Sequence, residues 1–417
     1  MDKHLKLNSK FYDRVDKLKS KATQYRSNLF RSKSHLHIAR TISKEDLLER
    51  FNLLKENPSP KEVIYLLRNL LNSGVWISRT TYKFLLSSMN FTQSGDKQEL
   101  SRSQYKIIKA LAQKEKIEEF SDEEIFEVIF NEMEYSHYFP DHKSLLEVPK
   151  IDATIVLISG VFNELFSSAA FERAAIHMDK KYGIKFYAPD VNGFKSSKFN
   201  AKLLEKQLSS YVSKNKNEKL WLVSFSKGGL DSLHFLAANN KFAKDHIIGL
   251  STIASPIMGS DHLNHNLFKI LNGVHNFSQT KVYRLLSQTR DIMAKEFQKS
   301  ISSTYQRPWL RNNYENLPKN IFYTALGFRS EWYESHFWMI FTKMLFQSTS
   351  KNDGVVDTSN SLFPKYFKEA LNLGIHEGHH LVGLRSSFFC QEALIESLII
   401  YLDYKGLLSK TKSSDHL

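Results

Sequence analysis

The chain has 417 residues, 41% of them hydrophobic and 24% charged, which allows one large decorated domain or two, around a substantial core. Its single cysteine, Cys390, excludes an internal disulfide framework, and the basic opening Met-Asp-Lys-His-Leu-Lys-Leu-Asn lacks the apolar region of a secretory signal. The net charge of +14 is uneven: residues 1–50 hold 13 Lys/Arg against 6 Asp/Glu, about half of the excess.

Residues 1–40 show little apolar periodicity and read as a flexible or loosely helical basic arm, either a solvated terminus or a segment that contacts an anionic membrane surface. Nucleic acid is not expected, because no zinc-finger spacing, RNP-like motif or aromatic–basic repeat accompanies the charge. Helical signals follow. Ser43 with Asp46 is a candidate capping box, and Ser59-Pro60-Lys61-Glu62 opens a helix that stops near Gly74. Ser121 with Glu124 opens another, carrying Ile125, Phe126, Val128 and Ile129. Residues 1–145 are therefore expected to form a basic arm and a helical region.

The pattern changes at Ile151. Thr154 to Ile158 is a short apolar run ending at Ser159-Gly160, as in a buried parallel strand. Residues 168–180 read as a helix, 183–188 as a strand, 199–212 as a helix and 220–223 as a strand. A helix over 228–238 and a strand over 247–253 complete the alternation. Strands and helices in this succession imply a doubly wound, mostly parallel sheet, with active residues at the carboxyl ends of its strands. Residues 320–326 return to the sheet, leaving about 262–318 as a helical cap or lid insertion within a domain of 146–417. No apolar run approaches the ~18 residues of a spanning helix. The nearest, Phe337 to Phe346, is interrupted by Lys343; it reads as a core helix or, less simply, as a lid surface. A soluble, cytoplasmic protein is the expectation.

Chemistry enters at Ser224-Phe225-Ser226-Lys227-Gly228-Gly229, which stands between an apolar strand and a helix. A strand–serine–helix turn is sharp enough to need small residues two positions either side of the serine, here Ser224 and Gly228. It exposes the hydroxyl of Ser226 beside a helix N-terminus that favours negative charge. The Lys227 side chain reads equally well as a source of positive potential or as a solvated lysine.

With these residues, 151–400 resembles the α/β-hydrolase family, and within it the bacterial lipases and esterases. Leu157 to Phe162 resembles the strand and loop that supply half of the oxyanion hole. Thr252-Ile253-Ala254-Ser255-Pro256-Ile257-Met258-Gly259-Ser260 resembles the segment after the nucleophile helix, and Asn352-Asp353-Gly354-Val355-Val356 the loop that presents the acid. Ser224 stands where the family usually has Gly, and Ser159 where it usually has His. The resemblance implies a Ser–acid–His order, met by Ser226, Asp353 and His380, with Asp357 and His379 as alternatives to the second and third. It implies backbone N–H donors at Val161 and Lys227, no metal, no cofactor and an apolar acyl ester as substrate, which the 30 Phe residues suit. Acyl transfer to another alcohol would use the same groups.

Two other classes compete. His376-Glu377-Gly378-His379-His380 satisfies H-E-x-x-H, a zinc-metalloprotease pattern that requires one continuous helix, against which Gly374 and Gly378 argue. A non-catalytic binding protein on the same fold is the third.

Overall fold

The computed structural model describes residues 102–138, 142–161, 169–216, 218–260, 297, 299–330, 351–385, 387 and 389–408. The basic arm, the expected helices at Ser43 and Ser59, most of the expected cap and the run at 337–346 lie outside these residues. The chain divides into two compact units, Met1–Glu115 with Tyr135–Leu145, and Lys116–Glu134 with Leu146–Leu417.

In the first unit, helix α1 (Arg102–Ala112) buries Ile107, Ile108 and Leu111 along one stripe, as its 3-4-residue apolar spacing requires. Tyr135 and His142 meet ring edge to ring face at 4.9 Å.

The second unit begins with most of helix α2 (Asp122–Tyr138). Its start is a reciprocal capping box, as the sequence indicated: Ser121 N donates to Glu124 Oε2 at 2.8 Å, and Glu124 N donates to Ser121 Oγ at 3.3 Å. The sheet follows. Its strands are β1 (Thr154–Ile158), β2 (Phe186–Tyr187), β3 (Leu220–Phe225), β4 (Ile247–Ile253), β5 (Phe322–Arg329) and β6 (Ala370–Glu377), in the order β2-β1-β3-β4-β5-β6. All five pairings are parallel. Every residue of β1, β3 and β4 is buried, so these strands read as unbroken apolar runs rather than alternating ones.

Among the described residues, helices α3 (Glu172–Tyr182), α4 (Ser197–Lys214), α5 (Lys227–Ala238), α6 (Asn240–His246), α7 (Ser303–Asn313) and α8 (Gln391–Tyr404) accompany the sheet. One apolar cluster joins Val156, Leu222, Tyr323 and Ala325 of the sheet to Leu204 and Leu208 of α4 and Leu233 of α5. Helix α3 packs on α8. The strand registers Ile158–Ser224, Ser224–Thr252 and Thr252–Ala325 bring the carboxyl ends of four strands level. Among the described residues, no helix is long and apolar enough to cross a membrane.

The differences from the sequence expectations have local causes. Gly183 does not open a strand; it caps α3 with φ 68°, its N–H returning to Asp179 O, which leaves β2 only two residues. The nucleophile helix starts at Lys227 rather than Gly228, directly after the serine. Strand β6 was not expected, because Asn372, Gly374 and His376 break its apolar pattern. Its presence removes the continuous helix that H-E-x-x-H needs: His376 and Glu377 end a strand, and His380 starts a separate 3-10 turn, His380–Gly383.

Candidate active site

Ser226 sits between β3 and α5 with φ 54° and ψ −130°, a conformation that non-glycine residues rarely adopt. Two backbone bonds hold it there: Ser226 N donates to Ile253 O at 3.0 Å, and Gly229 N to Ser226 O at 3.1 Å. The turn is crowded. A Cβ on Gly228 would lie 2.3 Å from Ile158 O, so only glycine lets α5 begin against the end of β1. Ser224, at the other flanking position, keeps its hydroxyl satisfied. Ser232 Oγ donates to Gly228 O at 2.8 Å, which leaves Ser224 Oγ to donate to Ser232 Oγ at 2.7 Å.

The structure brings Ser226, His380 and Asp353 into one buried line. His380 Nε2 lies 2.8 Å from Ser226 Oγ, and His380 Nδ1 lies 2.7 Å from Asp353 Oδ2. Since Oδ2 is an acceptor, Nδ1 carries the ring proton and Nε2 is free to accept from the Ser226 hydroxyl. The other Asp353 oxygen, Oδ1, accepts from Val355 N at 2.9 Å and Val356 N at 2.7 Å. A main-chain bond, His380 N to Asp353 O at 2.8 Å, ties the two loops together. Exposure is 5% at Ser226 and 1% at both Asp353 and His380. The Phe225 ring lies 5.4 Å from the imidazole, centre to centre.

The alternatives are placed elsewhere. His379 Nδ1 accepts from Leu381 N and so caps the turn that carries His380. Asp357 bridges back to Asn352 and shapes the acid loop. His376 Nε2 is 3.0 Å from Leu373 O, among Phe126, Phe130 and Phe328, and burial pushes its pKa down.

Gly160 approaches the serine closely. A Cβ there would stand 2.7 Å from Ser226 Cβ, 3.0 Å from its Oγ and 3.2 Å from Lys227 N. Glycine thus allows the loop containing Val161 to pass over the nucleophile and the start of α5. Ser159 Oγ accepts the Ala170 N–H at 2.9 Å. Ser260 Oγ donates to Val355 O at 3.0 Å, linking the segment after β4 to the acid loop.

The Lys227 side chain is neither solvated nor facing the serine. It is 1% exposed and paired with Asp231, Nζ lying 2.8 and 3.0 Å from its two carboxylate oxygens. Burial pushes the Asp231 pKa up, while the Lys227 ammonium and Asn200 oppose that shift. The spacing Lys-x-x-x-Asp marks an i,i+4 pair in the sequence, but nothing there reveals its burial. Arg173 was also missed. It makes bonds with Glu392 at 2.7 and 3.1 Å and donates to the carbonyls of Arg385, Ser387 and Phe389, the stretch that follows the His380 turn.

Parallel strands in this order, a strained serine leaving β3 for a helix, and a carboxylate and an imidazole delivered after β5 and β6 define an α/β-hydrolase fold. Compared by sequence, the chain matches no protein-family profile and no curated relative. Solved structures with a similar arrangement include a metagenomic carboxyl esterase (TM-score 0.49, 19% identity, 64% of this chain and 80% of that one). Phospholipase PlaB from Legionella pneumophila aligns at TM-score 0.34 and 13% identity, over 50% of this chain and 45% of that one. The thioesterase RedJ from Streptomyces coelicolor aligns at TM-score 0.32 and 10% identity, over 60% and 94%.

Proposed function

We propose that this protein is a serine hydrolase that cleaves carboxylic esters with apolar acyl groups. The observation that carries the proposal is the unbroken line from Ser226 Oγ through His380 to Asp353, each link of hydrogen-bond length and shielded from water.

In this mechanism Ser226 Oγ attacks the acyl carbon as its proton passes to His380 Nε2. Asp353 holds the ring in the required tautomer and stabilises the imidazolium that forms. The N–H groups of Val161 and Lys227 receive the developing oxyanion, a contribution of about 3 kcal/mol per donor. The tetrahedral adduct expels the alcohol, which takes the proton from His380 and leaves an acyl-Ser226. Water then attacks with His380 as base, and the carboxylic acid departs. No step requires a metal or organic cofactor.

The apolar acyl group is proposed from the resemblance to lipases and esterases; Val161, Leu230, Phe297, Ile301, Val355 and Leu381, from segments that flank the nucleophile, acid and histidine, form a packed apolar cluster beside the site. Hydrolysis of p-nitrophenyl butyrate by the purified chain tests the proposal: turnover is expected, and Ser226→Ala should abolish it while leaving the circular dichroism spectrum unchanged. Equal turnover by that variant would remove Ser226 as nucleophile.

A further inference from the structure

We infer that Asp231 and Asn200 are positioning residues that fix the separation between the two oxyanion donors. The inference rests on the ester-hydrolase function proposed above and assigns that site a support outside the catalytic line. It starts from the placement of Lys227, which carries one donor N–H on its backbone while its ammonium is turned inward onto both oxygens of Asp231. Asn200 continues the chain of contacts. Its Nδ2 donates to Asp231 Oδ2 at 2.7 Å and to Asn192 O at 2.8 Å, while its Oδ1 accepts from Asn192 N at 3.1 Å. Asn192 Oδ1 in turn accepts from Phe194 N at 3.1 Å, closing a tight turn around Gly193.

Gly193 is the last link. A Cβ on it would lie 2.3 Å from Val161 O and 2.7 Å from Val161 Cα, so its backbone rests directly on the residue that bears the second donor. A continuous path therefore runs from the Lys227 backbone through its own side chain, Asp231, Asn200 and the 192–194 turn to the Val161 backbone. Lys227, Asp231 and Asn200 are each at most 1% exposed, which keeps water from competing for these contacts.

Burying an ion pair costs desolvation that an apolar pair would avoid, so packing alone does not account for this one. What the pair supplies is direction. The two contacts from Lys227 orient the Asp231 carboxylate, and that leaves Oδ2 aimed at Asn200. Donors of an oxyanion hole act through pre-set geometry, and a small change in their separation weakens transition-state binding without touching substrate binding.

The test uses two variants of the full chain. Asn200→Ala cuts the path and leaves the ion pair intact; Lys227→Met with Asp231→Leu replaces both charges together, so that neither is left buried alone. Each is measured for p-nitrophenyl butyrate turnover, for inhibition by n-butylboronic acid, which forms a tetrahedral adduct on the serine, and for melting temperature. The expected result, for each variant at a temperature where it is folded, is a kcat lower by on the order of 10- to 100-fold, with KM nearly unchanged. The boronate inhibition constant should rise by a matching factor. Wild-type kcat and boronate affinity in either folded variant, or a loss confined to KM, would overturn the inference. Absence of turnover by the wild type would instead contradict the hydrolase function beneath it.

Discussion

At Ser226 the backbone occupies a region that costs on the order of 1–3 kcal/mol for a residue with a side chain. That strain is held by bonds on both sides of the residue and by two glycines whose missing Cβ atoms make room, Gly160 above the serine and Gly228 behind it. Gly228→Ala should therefore destabilise the protein by about 1–3 kcal/mol, read as a lower midpoint in urea. A midpoint equal to wild type would mean that the α5–β1 approach relaxes freely. For the acid, Asp353→Asn leaves the shape of the loop but presents the wrong donor to His380 Nδ1. A fall in kcat on the order of 10⁴, with the fold intact, is expected; Asp357→Asn, away from the imidazole, should stay within a few-fold, and the reverse ranking would reassign the acid.

His234 gives a prediction of a different kind. It stacks on Trp309 at 3.7 Å, and burial, helped by the Lys227 ammonium and opposed by Gln306, lowers its pKa from 6.5 to about 3. Between these two values the unfolded chain binds a proton that the folded chain does not. Its contribution to stability is thus complete above about pH 6.5 and is lost as pH falls toward 3. His234→Phe keeps the stacking and removes the titration, so its melting temperature should fall less steeply than wild type from pH 7 to 4. Parallel slopes would show that His234 does not contribute to acid lability.

Among the elements, strands β1, β3 and β4 were legible because burial on both faces makes them continuous apolar runs with small residues at their ends. Strand β6 was not, since it is only partly buried and carries Asn372, Gly374 and His376 where apolar residues would mark a strand. The same stretch imitated a metal-binding helix; Gly374 and Gly378 argued against that helix, and the pairing of β6 with β5 removes it. Helix α3 shows a further limit of sequence reading. Arg173 on its first turn spans 212 to 219 positions of sequence to hold the chain after His380 and to reach Glu392. Charge pattern cannot reveal a contact of that separation. Arg173→Met should remove these bonds, lower the melting temperature by roughly 5 °C and reduce kcat more than it raises KM, because the histidine turn loses its anchor. An unchanged melting temperature would show the clamp to be dispensable.

On the scale of the whole molecule, the strand–turn–helix context pointed to Ser226, the resemblance to α/β-hydrolases implied Asp353 and His380 after it, and the structure brings these residues together across 154 positions of sequence. What was hidden is the supporting layer: the buried ion pair behind the nucleophile, the asparagines that extend it and the arginine clamp, all made of residue types that usually face water. The proposal of an apolar acyl group carries a prediction about substrates. Across a series of p-nitrophenyl esters from acetate upward, kcat/KM should rise by up to about four-fold per methylene that the enzyme buries. A preference for acetate, or for a charged acyl group, would remove the apolar-acyl assignment and leave the nucleophile untouched.

The central claim, an activated serine at position 226, is tested most directly by labelling the purified chain with a fluorophosphonate probe and locating the adduct by peptide mass. The account predicts one adduct, on Ser226, absent from Ser226→Ala and strongly slowed in His380→Ala. An adduct on another residue, or labelling that persists in Ser226→Ala, would contradict it.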